Sequence, residues 1–243
     1  MIIYPAIDIR GGKAVRLVEG DFNRETEFDA DPVDAARRWE SLGAEWIHIV
    51  DLDGAREGVQ RNTQVIRSIR AAVSARIQLG GGIRSLADVR SARENGVDRV
   101  VIGSAAIHDR EVVVQALREF GAAIAVGMDA RNGKLAASGW TEQTEIAATD
   151  LAEHYGARGL SHLIYTDIQR DGRLQGPNIE ELTTMIDRFP GQVIASGGIA
   201  SLSDVLRVRE AGAAGAIIGA ALYHRRLALP DAIAIATRSE VQP

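Results

Sequence analysis

Asp8 and Asp129 are the residues of this chain whose type and setting first suggest chemistry. Each follows an apolar run, IIYPAI (2–7) and AIAVGM (123–128). Each sits in a segment that resembles the other: IDIRGGK (7–13) aligns with MDARNGK (128–134), pairing Asp8 with Asp129, Arg10 with Arg131, Gly12 with Gly133 and Lys13 with Lys134. Two opposed carboxylates can divide general-acid and general-base work when their surroundings separate their pKa values. The alternative is that each Asp caps its own loop or pairs with Arg10 or Arg131. A third carboxyl group, Asp171, lies in TDIQRDGRLQGPN (166–178), either as a rival acid or as a turn residue; Thr166 could hydrogen-bond a reacting sugar. Trp140, in the polar segment KLAASGWTEQT, is either a loop tryptophan or a platform for a planar ring. His48, between Ile47 and Ile49, is either a satisfied barrel histidine or a substrate contact.

Glycine clusters supply the second chemical signal. Gly80-Gly81-Gly82, Gly103-Ser104, Gly197-Gly198 and Gly219-Ala220 each follow an apolar run. Glycine lets the backbone approach an anion closely, and a following helix offers unpaired N–H groups at its start. The expected phosphate-binding set is Gly81, Gly82, Gly103, Ser104, Gly197, Gly198, Gly219 and Ala220, with Gly176 added from the segment after Asp171. Arg16 or Arg24 could reach toward a phosphate from the polar stretch 19–31, which reads as a long first βα loop, an open segment or a lid. Two phosphate sites with two carboxylates between them imply an elongated, bis-phosphorylated small molecule. No cofactor fingerprint and no metal-ligand spacing is visible, so neither a cofactor nor a metal is expected. The chemistry left is proton shuffling, such as an aldose–ketose isomerisation.

The elements that position these residues recur at a steady interval. Apolar runs fall at 2–7, 46–50, 76–79, 99–102, 123–128, 162–166, 192–195 and 215–219, with amphipathic stretches between them. Eight βα units predict one (βα)8 TIM barrel over residues 1–243, whose chemistry belongs at the C-terminal ends of the strands. Residues 81–107 and 197–223 align at an offset of 116 with 13 identities in 27 positions, and VDLDG (50–54) aligns with TDIQR (166–170). The barrel is therefore expected to be two similar (βα)4 halves, about 1–120 and 121–243. A formal charge of −5 with 5% aromatic residues argues against a nucleic-acid partner. The chain has no cysteine, and its apolar run 213–223, eleven residues, is short of the ~18 that span a membrane. The N-terminal run meets Asp8 at once and reads as a strand rather than a leader. A cytoplasmic protein without a membrane partner is expected.

Taken together, these segments resemble the phosphoribosylformimino-aminoimidazole carboxamide ribotide isomerase family of histidine biosynthesis. The carriers are PAIDIRGGKAVRL (5–17), HIVDLDGA (48–55), LGGGIRS (79–85), VIGSAAI (101–107), VGMDARNGKLAASGW (126–140), TDIQRDGRLQGPN (166–178), IASGGIASLSD (194–204) and GAIIGAALY (215–223). The resemblance implies a metal-free and cofactor-free Amadori rearrangement of a bis-phosphorylated aminoaldose to an aminoketose, by a protein that is commonly monomeric. It implies that Asp8 accepts a proton and that Asp129, or Asp171, donates one. The cyclase of the same pathway is a similar two-half barrel, but it opens on a cysteine-containing motif where this chain has PAID. A bifunctional relative that also converts phosphoribosyl anthranilate carries Ser-Gly-Gly after its third strand and arginine before its loop tryptophan. Gly80-Gly81-Gly82 and AASGW favour the single-substrate enzyme. The readings left beside it are that bifunctional isomerase and a non-catalytic phosphosugar-binding barrel.

Overall fold

Tyr4, Ala6 and Asp8 alternate with Ile3, Ile7 and Ile9 along the first strand, and this period of two decides which side chains enter the barrel. The computed structural model describes residues 1–18, 21–29 and 31–238; of residues 16, 18, 21–23, 25 and 27–29 it describes the backbone alone. Eight strands among the described residues form the barrel wall: β1 (Ile2–Arg10), β2 (Trp46–Asp51), β3 (Arg76–Gly80), β4 (Arg99–Ile102), β5 (Ile124–Arg131), β6 (His162–Asp167), β7 (Gln192–Ser196) and β8 (Gly215–Ile218). Each pairs in parallel with the next in sequence, and β8 pairs with β1, which closes the ring. The chain folds as the expected (βα)8 TIM barrel.

Helices α1 (Pro32–Ser41), α2 (Thr63–Ala72), α3 (Leu86–Glu94), α4 (Arg110–Phe120), α5 (Ala148–Gly156), α6 (Ile179–Arg188), α7 (Leu202–Glu210) and α8 (Leu229–Thr237) follow the eight strands in turn. Two apolar shells result. Outward strand residues such as Ile7, Ile49 and Leu79 pack against helical residues such as Ile66, Val89 and Val205. Inward residues Tyr4, Ala6, Trp46, Val101, Ala125, Ile164, Ile194 and Ile217 fill the barrel's centre. A parallel sheet buried on both faces needs this near-continuous apolar sequence. Trp39 and Trp46 are both buried.

The segments after β1 and β5 differ from the expectation of open loops. Lys13–Val18 pairs antiparallel with β1 and with Asp21–Asp29. Lys134–Ala137 pairs likewise with β5 and with Glu142–Ala147. Gly11-Gly12 (φ 55° and 80°) and Asn132-Gly133 (φ 52° and 72°) make the two turns. A two-residue hairpin needs positive φ at both positions, which these pairs tolerate. The inner strand of each ribbon buries apolar residues (Ala14, Val15 and Leu17; Leu135, Ala136 and Ala137), while backbone pairing holds the outer strand, whose sequence needs no apolar period. Residues 19, 20 and 30 and the Arg16 side chain, where part of the expected lid fell, lie outside the described residues; Arg24 is exposed on the ribbon.

Candidate active site

The inward parity of each strand, carried to its C-terminal end, gives Asp8, Val50, Gly80, Gly103, Asp129, Thr166, Ser196 and Gly219. All eight line one cavity of about 230 Å³ at that end of the barrel. The same wall includes His48, Gly81, Gly82, Ser104, Trp140, Asp171, Gly197, Gly198 and Ala220. Two sequence-derived candidates with described side chains do not line it: Arg24, exposed on the ribbon, and Gly176, which stands behind the wall. Its N–H donates to the Gly198 carbonyl (3.0 Å), so it braces that loop.

Asp8 and Asp129 occupy matching positions in different surroundings. Strand register sets Asp8 beside Val50 and Asp129 beside Thr166. The Trp140 indole N–H donates to Asp129 Oδ2 (2.7 Å), and Thr166 also hydrogen-bonds this carboxyl group. Burial raises the Asp129 pKa above the ordinary carboxyl range. The Trp140 and Thr166 hydrogen bonds pull it down, and the nearby negative charge of Asp171 pushes it up, with a net rise. Trp140 is held by a strained turn: Ser138, Gly139 and Trp140 all have positive φ (54°, 64° and 71°). The Ser138 N–H donates to Ser104 Oγ (2.9 Å), tying this turn to the loop after β4.

The glycines have a packing reason beside any ligand. Gly81 (φ 96°) would place a Cβ 2.2 Å from the Asp51 carbonyl oxygen, and Gly197 (φ 92°) would place one 2.7 Å from that of Asp167. Neither position has room for a side chain. The expectation that the helices after β3 and β7 offer open N-termini is corrected. Asp88 Oδ2 accepts from Arg84 N, Ser85 N and Ser85 Oγ, and Asp204 Oδ2 accepts from Ala200 N and Ser201 N. Both helices close on Ser-x-x-Asp capping boxes, legible as SLAD and SLSD. The short helices Ala105–His108 and Ala220–Tyr223, after β4 and β8, have no side-chain cap. The N–H groups at Ser104–Ala105 and Ala220–Ala221, with those of Gly82 and Gly198, are therefore the better donors to an anion.

Sequence reasoning missed the residues that hold the cavity's loops. Asp51 is buried and accepts from Gly54 N (2.9 Å), Arg61 N (2.6 Å), Asn62 N (3.0 Å) and Asn62 Nδ2 (2.7 Å). Its repeat counterpart Asp167 accepts from Gln169 N (2.9 Å) and Asn178 Nδ2 (3.1 Å). Asn62 and Asn178 lie 116 residues apart, so the repeat offset would have found them. Among the described residues no group of three or more His, Asp and Glu could hold a metal ion.

Comparison with known proteins adds names to this geometry. A family model described as "Histidine biosynthesis protein" matches residues 2–228. A protein of Roseiflexus sp. is 50% identical over 234 residues, covering 96% of this chain and 99% of its own. One from Chloroflexus aggregans is 49% identical over 236 residues (97% and 98%), and one from Ruminiclostridium cellulolyticum is 44% identical over 233 (96% and 99%). All three relatives are named 1-(5-phosphoribosyl)-5-((5-phosphoribosylamino)methylideneamino) imidazole-4-carboxamide isomerase.

Proposed function

The chain belongs to the histidine biosynthesis protein family, and from that premise we propose that it is the isomerase its relatives are named for. The reaction converts a bis-phosphorylated N-glycosylamine, an aminoaldose, to the matching aminoketose. One observation carries the assignment: two repeat-equivalent aspartates, one of them beside Thr166, Trp140 and Asp171, line one cavity, with glycine pairs at its rim in both halves. The division into half-barrels near residue 120 belongs to the same proposal.

The chemistry needs one group that gives a proton and one that takes one. Asp129, with its raised pKa, is the donor. It protonates the furanose ring oxygen, the C1–O bond breaks, and the nitrogen lone pair forms the C1=N bond of a protonated Schiff base. Asp8 is the acceptor. It removes the C2 proton, the C–H electrons form C1=C2, and the iminium is neutralised to an enolamine. Protonation at C1 and loss of the proton on the C2 oxygen complete the ketose, so hydrogen and electrons balance within the substrate. Each proton-transfer group contributes about 10²–10⁴-fold. The backbone donors at Gly82, Gly103, Ser104 and Ala105 would take one phosphate, and those at Gly198, Gly219, Ala220 and Ala221 the other. Holding both ends supplies orientation. Asp171 acts by its charge on Asp129, Thr166 and Trp140 by their hydrogen bonds to it, and His48 and Arg16 as substrate contacts.

A monomer is part of the same reading. No helix among the described residues is long and apolar enough to cross a membrane; a cytoplasmic location and no nucleic-acid partner complete the reading. Steady-state turnover of the named substrate by the purified protein and by Asp8→Asn is the test. The wild type should form product, and the variant should bind substrate without measurable turnover. An active Asp8→Asn protein contradicts the role given to Asp8.

A further inference from the structure

His48, Gln78 and Arg99 stand side by side inside the barrel, on β2, β3 and β4. Strand register pairs His48 with Gln78 and Gln78 with Arg99. Gln78 is fully buried and Arg99 nearly so. Arg99 Nη1 lies 3.0 Å from Gln78 Oε1 and 3.1 Å from the Tyr4 hydroxyl; Gln78 Nε2 lies 3.0 Å from His48 Nδ1. A guanidinium can only donate, so the Gln78 carbonyl must face Arg99 and its NH2 must face His48. An amide NH2 can only donate too. His48 Nδ1 must therefore keep its lone pair, and the ring proton resides on Nε2. The same logic on the far side of Arg99, where Nη2 lies 2.9 Å from His162 Nε2, puts the His162 proton on Nδ1, 3.0 Å from Ser161 Oγ.

The other half of the barrel shows that the scaffold does not need this arrangement. At an offset of 116, His48, Gln78 and Arg99 correspond to Ile164, Ile194 and Gly215, paired in the same register. Two isoleucines and a glycine fill that wall with no polar group. Gly215 leaves room there for the Tyr4 ring, which a Cβ would meet at 2.7 Å. Burying an amide and a guanidinium where an apolar layer suffices costs free energy, so the polar layer points to a task. His48 is its only member that lines the active-site cavity.

We propose that Gln78 and Arg99 are positioning residues that lock His48 in its neutral Nε2-protonated tautomer, making it a hydrogen-bond donor of fixed direction to an oxygen of the bound substrate. A neutral donor holds a sugar oxygen without giving it a proton, which leaves proton traffic to Asp8 and Asp129. The substrate in this statement rests on the isomerase reading; the tautomer does not.

The test is long-range ¹H–¹⁵N NMR of the ligand-free wild type at neutral pH, paired with kinetics of Gln78→Leu and Gln78→Glu. His48 Nδ1 should give a pyridine-type nitrogen signal and Nε2 a pyrrole-type one. Gln78→Leu should release a tautomer mixture and lower kcat/KM about tenfold, the worth of one hydrogen bond to a charge-neutral group, carried mainly by KM. Gln78→Glu, of the same size, should draw the proton to Nδ1 and lower kcat/KM at least as far. A protonated Nδ1 in the wild type overturns the proposal, and that spectrum decides it even where a variant fails to fold. Unchanged kinetic constants in a folded Gln78→Leu protein overturn the positioning role. Failure of the isomerase reading would instead appear as a wild type that forms no product while its spectrum stands.

Discussion

The two halves of this barrel share a frame and differ in what the frame holds. Both place an aspartate at the end of the first strand of the half, followed by a tight hairpin. Both tie the next loop down with an Asp–Asn pair and start a helix on a Ser-x-x-Asp box. Beyond that they part. Thr166, Asp171 and Trp140 surround Asp129, whereas Val50 and Ala55 stand at the first-half positions of Thr166 and Asp171. The first half instead carries the His48–Gln78–Arg99 layer. Its hairpin turn is also pinned, by Gly11 N to Asp53 Oδ2 (2.7 Å) and Gly12 N to Asn62 Oδ1 (3.1 Å). On the proposed reading, duplication would account for two carboxylates and two glycine rims, and divergence for an acid in one half and a base in the other.

Removing the carboxylate of one half should have the largest effect. Asp129→Asn should lower kcat by about 10²–10⁴-fold, while Thr166→Val, which copies Val50, should cost about tenfold; steady-state kinetics on both variants checks the order. Equal losses would mean that Thr166 does more than tune Asp129.

The glycine rims should differ in stability. Gly81→Ala should cost about 3 kcal/mol or more, because the new Cβ meets a fixed carbonyl in left-handed backbone; Gly197→Ala, with a longer approach, should cost less. Urea denaturation of the two variants compares them. The loop anchors come next. Asn62→Ala removes donors to Asp51 and Asp53 and the acceptor of Gly12 N, and should cost about 2–3 kcal/mol. Asn178→Ala, which loses one bond to Asp167 and the α6 cap, should cost about 1–2 kcal/mol by the same assay.

The smallest effect expected is a shift in pH dependence. An acid must hold its proton, so activity is lost as pH rises through the Asp129 pKa. Asp171→Asn removes a charge that raises that pKa, and the basic limb of kcat/KM should move to lower pH. Trp140→Phe removes a hydrogen bond that lowers it, and the limb should move to higher pH. Shifts of the same sign in both variants would break the assignment.

Strands were legible because parallel barrel strands are apolar on both faces, and Asp8 and Asp129 stand out near their ends; which residues face inward was not, because such strands do not alternate. The hairpins were not, since their outer strands, DFNRETEFD and EQTEIA, carry no apolar period; Gly11-Gly12 and Asn132-Gly133 were the overlooked signs. Glycine identity alone does not separate close approach to an anion from close approach to a neighbouring loop, and Gly81 and Gly197 show the second. Gln78, flanked by Ile77 and Leu79 in RIQL, reads as part of an apolar run until register sets it between His48 and Arg99.

In the proposed function the halves present opposite anion sites, with an acid from one and a base from the other. A crystal structure of Asp8→Asn with the aminoaldose bound tests it directly. It should show one phosphate on the backbone N–H groups near Gly82, Gly103 and Ser104 and the other near Gly198, Gly219 and Ala220. The Asp129 carboxyl should lie within hydrogen-bond reach of the ring oxygen, with the side chain at position 8 facing C2. Both phosphates on one rim, or a ring oxygen beyond reach of Asp129, would contradict the account.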